Sequence, residues 1–148
     1  MKLFTDGGAR GNPGPAGVGV VILEDNNDVV YARGAYIGHQ TNNFAEYYAL
    51  LLGLTHAKKY TPVKLVCHLD SELVVKQLNG EYKVKNAELA KLHTKVITLA
   101  GIFNVIEFVH VPRKQNAAAD KLVNDELDLQ KTLGYPKISD AELAKLLE

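Results

Sequence analysis

The 148-residue chain has almost no cysteine, no excess of charge of either sign and no long hydrophobic run. Its one cysteine, Cys67, excludes an internal disulfide framework and favours a reducing cytoplasm. Because Cys67 lies in an apolar run, we expect a buried small side chain rather than a nucleophile. No segment approaches the roughly 18 continuous apolar residues of a membrane span, and the strand-like start at Met1 predicts no signal peptide. We therefore expect no membrane partner.

The charges balance, with 17 Lys and Arg against 17 Asp and Glu and a formal net charge of zero. A nucleic-acid-binding domain is often more basic than this. The balance argues against tight, sequence-independent binding by charge alone, although acids that hold metal can coexist with bases that line a groove. The hydrophobic content of 47% is ordinary for one globular domain, so composition leaves the function open.

The hydrophobic patterns predict an α/β fold with the element order βββαβααβα. Strands are expected at 2–6, 17–24 and 29–37, where short connections favour an antiparallel meander, and then at 63–69 and 105–111. Helices are expected at 43–59, 71–78, 87–100 and 117–131, the first capped by Asn42 or Asn43. We expect one five-stranded mixed sheet, three strands antiparallel and two parallel, flanked by helices. The predicted domain covers 1–133, and the tail 134–148 holds a short helix capped by Ser139 or Asp140.

Four acids stand at predicted strand ends or near the start of helices: Asp6, Glu46, Asp70 and Asp120. Functional groups gather at such places in α/β folds, and converging acids repel one another unless cations are bound. Two Mg²⁺-like ions about 4 Å apart can activate a water and stabilise the leaving oxygen in phosphodiester hydrolysis. Each acid also has a local explanation, because Asp6 suits a turn, Asp70 suits a cap and Asp120 suits the helix dipole. Glu46 likewise suits a capping box, so spacing alone leaves both explanations open.

The residues around each acid carry the motifs that separate these explanations. Residues 5–17 read TDGGARGNPGPAG, 41–46 read TNNFAE, 70–71 read DS and 116–120 read NAAAD. These blocks resemble the motifs of type 1 ribonuclease H, in the family's order and on the corresponding elements. The resemblance covers nearly the whole chain except the tail after about Lys131. A single TDG motif would be weak evidence for the family. The four motifs together favour a catalytic role of the acids over helix capping.

The resemblance implies a ribonuclease H-like fold and an endonuclease that hydrolyses the RNA strand of RNA/DNA hybrids, leaving 5′-phosphate and 3′-hydroxyl ends. Asp6, Glu46, Asp70 and Asp120 would be the catalytic residues and would hold two Mg²⁺ or Mn²⁺ ions. Glu46 would also contact the 2′-hydroxyl, the group by which a protein distinguishes RNA from DNA. The protein would act on the hybrid as a cytoplasmic monomer. The residues expected to contact the nucleic acid are Gly7, Asn12, Thr41, Asn42, Asn43, Ser71, Lys83, Lys85, Arg113 and Asn116.

Two departures affect the loops around the expected site. Well-studied bacterial members carry a basic extra helix that grips the hybrid, whereas residues 80–86 here lead directly into the next helix. Lys83 and Lys85 are either a reduced version of that element or part of a solvated loop. The loop before Asp120 also lacks the histidine that assists product release in those members. Arg113 or Lys114 is expected to assist the phosphate there, and His110 in the preceding strand is expected to be structural.

A third departure concerns the side chains beside the duplex. Glu72 and Phe44 stand where better-known members have a polar amide and a basic residue, and an acid beside phosphate is unfavourable. We therefore expect weaker or broader duplex binding. The short-loop form is more similar to archaeal and plant-type relatives, some of which also cut double-stranded RNA.

Two other functions fit the same resemblance. A non-catalytic RNA- or hybrid-binding module would have the same fold, but a pure binder gains nothing from concentrating acids near phosphate. A nuclease domain of a larger protein, such as the ribonuclease H region of a reverse transcriptase, is the second alternative. Met1 directly before the first strand favours a free-standing enzyme.

Overall fold

The structure is a computed structural model that describes residues 1–147, and five strands form one mixed sheet over this range. The strands are β1 (Lys2–Ala9), β2 (Gly14–Leu23), β3 (Val29–Gln40), β4 (Lys64–Leu69) and β5 (Val105–His110). Their order across the sheet is β3-β2-β1-β4-β5. β1, β2 and β3 pair antiparallel, whereas β4 lies parallel to β1 and β5 parallel to β4. The predicted sheet and fold class are confirmed.

Helices cover both faces of the sheet. They are α1 (Asn42–Ala57), α2 (Glu72–Leu78), α3 (Ala87–Ala100), α4 (Ala117–Thr132) and α5 (Asp140–Leu146), with 3₁₀ turns at Lys58–Tyr60 and Arg113–Asn116. α1 packs on β1 and α3, whereas α4 packs on β2, β3 and β1. Leu50, Leu54 and Ala57, which share one face of α1 at helical spacing, are fully buried. Each buried leucine stabilises the fold by roughly 1.5–3 kcal/mol relative to an exposed one.

Gly19 in the middle of β2 allows α4 to approach the sheet closely. A Cβ atom at Gly19 would collide with the carbonyl oxygen of Ala119 in the first turn of α4. Because glycine lacks that atom, the start of α4 lies directly against β2. This contact fixes the position of Asp120, one residue further along the helix.

The structure corrects several local predictions around the acids. β1 continues to Ala9 instead of ending at Asp6, because Gly7, Gly8 and Ala9 remain paired with β2, so Asp6 is in a strand and not in a turn. Thr41, not Asn42 or Asn43, caps α1: its Oγ1 accepts a hydrogen bond from the Phe44 backbone N–H at 3.3 Å.

Two of the acids were also predicted to have capping roles, and the structure shows neither. With Thr41 as the cap, Glu46 lies in the second turn of α1, and the capping box with Asn43 is wrong. Ser71, not Asp70, caps α2 and accepts from the Val74 N–H at 3.3 Å. Three of the four acids therefore lack the local role that the sequence alone allowed. Only Asp120 keeps its expected place in the first turn of a helix.

The C-terminal segment lies against the domain. Ser139 caps α5 in a capping box with Glu142, and Leu143, Leu146 and Leu147 pack on the core. The predicted tail ends at Glu148, which lies outside the described residues. Within residues 1–147, none of the helices has the length and apolar character that a bilayer crossing requires.

Candidate active site

Three carboxylates meet where β1, β4 and α1 come together. Asp6 lies in β1, Asp70 directly follows the neighbouring parallel strand β4, and Glu46 projects from α1. Each offers one carboxylate oxygen, and these oxygens all lie within 4.8 Å of one another. The three predicted acids therefore form one group although 64 residues of sequence separate the first from the last.

The Gly7 backbone holds Glu46 in this group. Its N–H donates to Glu46 Oε1 at 3.2 Å. A Cβ atom at Gly7 would overlap the backbone carbonyl of Ala45, so a larger residue would push α1 away from β1. The glycine of the TDG motif thus sets both the position of the helix and the orientation of the Glu46 carboxylate.

Burial and mutual repulsion disfavour negative charge on these acids. Asp6 is 7% exposed, and burial followed by the charge of Asp70 raises its pKa from the ordinary value to about 7. Burial, and then the charge of Asp6, raises the pKa of Glu46 well above its usual range. Glu46 Oε2 is buried and has no hydrogen-bond partner among the described residues. A cation in contact with these oxygens would relieve both penalties.

Asp120, the fourth acid, lines the same groove but stands apart from the three-carboxylate group. Its side chain is 29% exposed and pairs with the Arg113 guanidinium at 3.5 Å. It is close enough to Asp6 to contribute to the raised pKa of that residue. The four acids therefore share one groove, with three of them in close contact.

Asn116 is a buried residue beside the acids and is not among the residues that line the groove. It is 1% exposed, and its Nδ2 donates to the Thr5 carbonyl at 2.9 Å and to Asp70 Oδ2 at 3.4 Å. The amide thus ties the residue before Asp6 to the carboxylate of Asp70. The predicted contact between Asn116 and nucleic acid stays a prediction, and in this structure the side chain is buried and bonded to Thr5 and Asp70.

The acids lie in a groove of about 460 Å³. Of the predicted binding residues, the groove is lined by Gly7, Asn42, Asn43, Ser71 and Arg113. Asn12 and Asn42 connect the glycine-rich turn to α1: Asn12 Oδ1 accepts from the Asn42 N–H at 3.0 Å, and Asn42 Oδ1 accepts from the Ala9 N–H at 2.9 Å. Thr41 is the helix cap.

The predicted lysines lie elsewhere. Lys83 and Lys85 are exposed in the segment between α2 and α3, outside the residues that line the groove. His110 stands at the end of β5, with Nε2 3.2 Å from the carbonyl oxygen of Asp70. This contact between the ends of two parallel strands fits the structural role expected of His110.

Two groove residues were not found from the sequence. Arg10 lies in the glycine-rich motif at a variable position of the pattern, and Asn124 lies one helical turn after Asp120. The i, i+4 spacing from Asp120 was the available signal for Asn124, which donates from Nδ2 to the Asp120 carbonyl at 3.1 Å. For Arg10 no local signal existed, because its partners are far away in the sequence.

The donor set fits a hard divalent cation. The group offers oxygen ligands only, and one of them is a buried carboxylate oxygen without a described partner. Mg²⁺ and Mn²⁺ prefer such ligands and retain waters for a substrate. In residues 1–147 the histidines and Cys67 contribute to no such group.

A sequence profile described as reverse transcriptase-like matches residues 4–126. The bifunctional protein Rv2228c of Mycobacterium tuberculosis H37Rv is 41% identical over 148 residues, which cover 99% of this chain and 40% of that protein. Ribonuclease HI of Halobacterium salinarum NRC-1 is 38% identical over 86% of this chain and 64% of its own length. The chain thus spans less than two thirds of the length of either relative.

Two solved structures are similar over nearly their whole length. RNase H1 from the halophilic archaeon Halobacterium salinarum NRC-1 superposes with a TM-score of 0.83 at 38% identity, over 86% of this chain and 96% of that one. LC11-RNase H1, solved in complex with an RNA/DNA hybrid, superposes with a TM-score of 0.83 at 42% identity. That match covers 89% of this chain and 98% of the LC11 chain.

Proposed function

The chain belongs to the ribonuclease H family, within the reverse transcriptase-like group, and on that premise we propose that it hydrolyses the RNA strand of RNA/DNA hybrids. It would act as a metal-dependent endonuclease and leave 5′-phosphate and 3′-hydroxyl ends. The similarity to LC11-RNase H1, which was solved with such a hybrid, supports this choice of substrate.

The observation that carries the proposal is the three-carboxylate group. Asp6 and Glu46 are buried acids whose pKa values are raised, and no local capping role explains either of them. Burying acids close together destabilises a fold unless their charge is compensated. A divalent cation bound at the edge of the groove would compensate it, and this agrees with the donor set and with the family.

Asp6, Glu46, Asp70 and Asp120 are proposed to hold two divalent ions, Mg²⁺ or Mn²⁺. Such ions, when bound, would lower the pKa of a water that attacks the phosphodiester and would stabilise the charge on the leaving 3′-oxygen. The chain's own contribution is positioning. Gly7 fixes one oxygen of Glu46, and Asn116 fixes one oxygen of Asp70. Such supporting bonds keep ligands in place without rearrangement during the reaction.

The duplex is proposed to bind along the groove. Asn42, Asn43 and Ser71 line it with amide and hydroxyl groups, and the Asn12–Asn42 bond keeps the glycine-rich turn close to α1. Such residue types contact phosphates, sugars and base edges. We further propose that Glu46 accepts a hydrogen bond from a 2′-hydroxyl, by which the RNA strand is distinguished from DNA. Cleavage of double-stranded RNA is a second proposed activity, supported by the short loops between α2 and α3.

The remaining proposals concern the protein as a whole. Residues 1–133 would form the catalytic domain, to which the segment 134–148 is attached. The protein is proposed to act as a monomer in the cytoplasm. The single buried Cys67, whose thiol pKa burial raises, supports a reducing compartment because no disulfide is available.

A cleavage panel tests the function directly. Labelled RNA/DNA, RNA/RNA and DNA/DNA duplexes are incubated with Mg²⁺ or Mn²⁺ and the wild type, Asp6→Asn, Asp70→Asn or the control Asp125→Asn. Asp125 is an exposed acid of α4 paired with Lys121, outside the groove. We expect the wild type and the control to cut the hybrid, with a loss of about 100-fold or more in Asp70→Asn, since removing one electrostatic stabiliser has that scale of effect.

The same panel separates the alternatives. Full activity in both Asp6→Asn and Asp70→Asn would contradict the proposed site. Hybrid binding without cleavage at any metal concentration would favour a non-catalytic binding module. The RNA/RNA arm decides whether the short-loop form also accepts double-stranded RNA.

A further inference from the structure

A polar cluster joins the groove to the C-terminal segment. It consists of Arg10, Asn124, Asp128 and Tyr135, and we call it the Arg10 cluster. Arg10 Nη2 lies 2.6 Å from Asp128 Oδ1 and 3.4 Å from the Asn124 carbonyl oxygen, while Nη1 donates to Tyr135 Oη at 3.3 Å. Tyr135 is 125 residues away from Arg10 in the sequence. Asp128 and Tyr135 lie beyond residue 126, where the match to the family profile ends.

Tyr135 is held in place by contacts on several sides. Its backbone is left-handed, with φ 50°, a conformation that is unfavourable for an L-residue and persists only where the surroundings impose it. Its N–H donates to the Gln130 carbonyl at 3.0 Å. The ring packs beside Tyr36, whose hydroxyl donates to the Pro136 carbonyl at 2.7 Å. The Tyr135 hydroxyl is therefore presented to Arg10 from a fixed segment.

Arg10 is one of few cations at a strongly acidic groove. In the part of the chain that the structure describes, the groove is lined by two cationic side chains, Arg10 and Arg113, and by four acids. Arg113 is 80% exposed and already pairs with Asp120, whereas the Arg10 side chain is 33% exposed and fixed by three residues. A guanidinium has five N–H donors in a rigid fork, so it can bind a carboxylate on one edge and a phosphate on another.

We propose that Arg10 contacts a backbone phosphate of the bound duplex, and that Asp128 and Tyr135 are positioning residues that orient its guanidinium. This inference rests on the proposed function, because it requires a nucleic acid in the groove. A fixed guanidinium loses little conformational freedom when a phosphate binds. The C-terminal segment thereby contributes to substrate binding although it lies outside the groove, in a chain that lacks the basic extra helix of better-known relatives.

The test measures binding of a labelled RNA/DNA hybrid over a range of salt concentrations, with Ca²⁺ in place of Mg²⁺ to prevent cleavage. Each phosphate contact contributes about one unit to the slope of log affinity against log salt. We expect Arg10→Ala to weaken binding about fivefold to tenfold and to lower this slope by about one. Arg10→Lys should keep the slope and recover part of the affinity, because the charge remains and the fork is lost.

Tyr135→Phe tests the positioning role separately. It removes only the hydroxyl and keeps the ring that packs on Tyr36, so the fold is preserved even if Arg10→Ala lowers stability. We expect binding to weaken about twofold to threefold, the scale of one exposed hydrogen bond, with KM rising more than kcat falls. The control is Lys121→Ala, which breaks an exposed ion pair on α4 outside the groove and should leave the affinity unchanged.

Each outcome has a defined reading. If Arg10→Ala lowers only the melting temperature while the affinity and salt slope match the wild type, the cluster is a structural clamp and the proposal is overturned. If Tyr135→Phe binds and cuts like the wild type while Arg10→Ala does not, the positioning role of the C-terminal segment is overturned. A wild type that neither binds nor cuts the hybrid would overturn the proposed function itself, which distinguishes the two failures.

Discussion

The two sides of the groove differ in how their residues are held. On the carboxylate side, Asp6 and Glu46 are buried, and the sheet, α1 and Asn116 fix the group from below. On the side proposed to bind the duplex, Arg10 and Arg113 are partly or largely exposed and Lys83 and Lys85 lie outside the groove. The proposed reaction centre is therefore held by the core of the fold, whereas the proposed binding surface consists of residues in turns and of residues that contact the C-terminal segment. Connecting segments vary more readily than the sheet that they join.

The largest effect is expected from a substitution within the three-carboxylate group. Glu46→Gln keeps the oxygen that accepts from Gly7 but removes the charge, so we expect cleavage of the hybrid to fall by about 100-fold or more. The same variant should melt at a higher temperature in EDTA, because a buried, repelled acid has been removed. The measurements are initial cleavage rates and thermal melts. Glu88→Gln, at an exposed acid paired with Lys91, is the matched control.

A cleavage rate close to that of the wild type in Glu46→Gln would mean that the group is not the reaction centre. A lower melting temperature in EDTA would mean instead that Glu46 stabilises the fold, through a contact stronger than its bond to Gly7.

The second prediction concerns Asn116, which supports the carboxylate side from below. Asn116→Ala removes the bonds to Thr5 and Asp70, and losses of supporting bonds typically weaken metal affinity or activity by about 10- to 100-fold. We expect Mn²⁺ binding, measured by calorimetry, to weaken in parallel with cleavage while hybrid affinity in Ca²⁺ changes little. Unchanged Mn²⁺ binding with weakened hybrid affinity would contradict this supporting role and would favour the direct nucleic-acid contact that the sequence pattern predicts.

Much of the carboxylate side could be predicted from the sequence because each motif surrounds its own acid. Asp6 follows Thr5 in a glycine-rich pattern, and Asp70 ends an apolar strand, so fold and acids were found together. The local caps could not be assigned in the same way. Thr41 and Asn42 are both good capping residues, and only the path of β3 to Gln40 decides that Thr41 caps α1.

On both sides of the groove, contacts that join distant parts of the chain were harder to predict. Asn116 and Thr5 are 111 residues apart, and Arg10 and Tyr135 are 125 residues apart. A local pattern marks Asn116 as part of a motif but does not show whether its amide faces a duplex or a carboxylate. The local pattern also does not identify Arg10 as a functional residue, because the partners of Arg10 lie outside the glycine-rich turn. Tertiary packing decides both.

The third prediction concerns pH in the absence of metal. Asp6 has a folded pKa raised to about 7. An unfolded aspartate titrates near pKa ~3.9, so the unfolded state releases its proton first and folding becomes less favourable as pH rises between these values. We expect the metal-free free energy of unfolding to fall by roughly 2–3 kcal/mol between about pH 5 and about pH 8. Denaturant melts in EDTA measure it.

Asp6→Asn is the control for this effect, because it removes the titrating group and should flatten the pH profile. Added Mg²⁺ should flatten the wild-type profile too, since a cation favours the charged carboxylates. A metal-free stability that rises over the same pH interval would contradict the repulsion between Asp6 and Asp70.

The smallest effect is expected from two exposed lysines that lie outside the groove. Lys83 and Lys85 are exposed between α2 and α3, whereas Arg10 lines the groove and is fixed by Asp128 and Tyr135. Flexible lysines at a distance from the groove lose more freedom on binding and are more strongly screened by salt. We therefore expect the double variant Lys83→Ala, Lys85→Ala to weaken hybrid binding about twofold, with a smaller change in salt slope than Arg10→Ala produces. Lys91→Ala, an exposed lysine on α3, is the matched control. A larger loss in the double variant than in Arg10→Ala would reverse the comparison: the loop between α2 and α3 would then be the main grip on the duplex, as the basic extra helix is in the longer relatives.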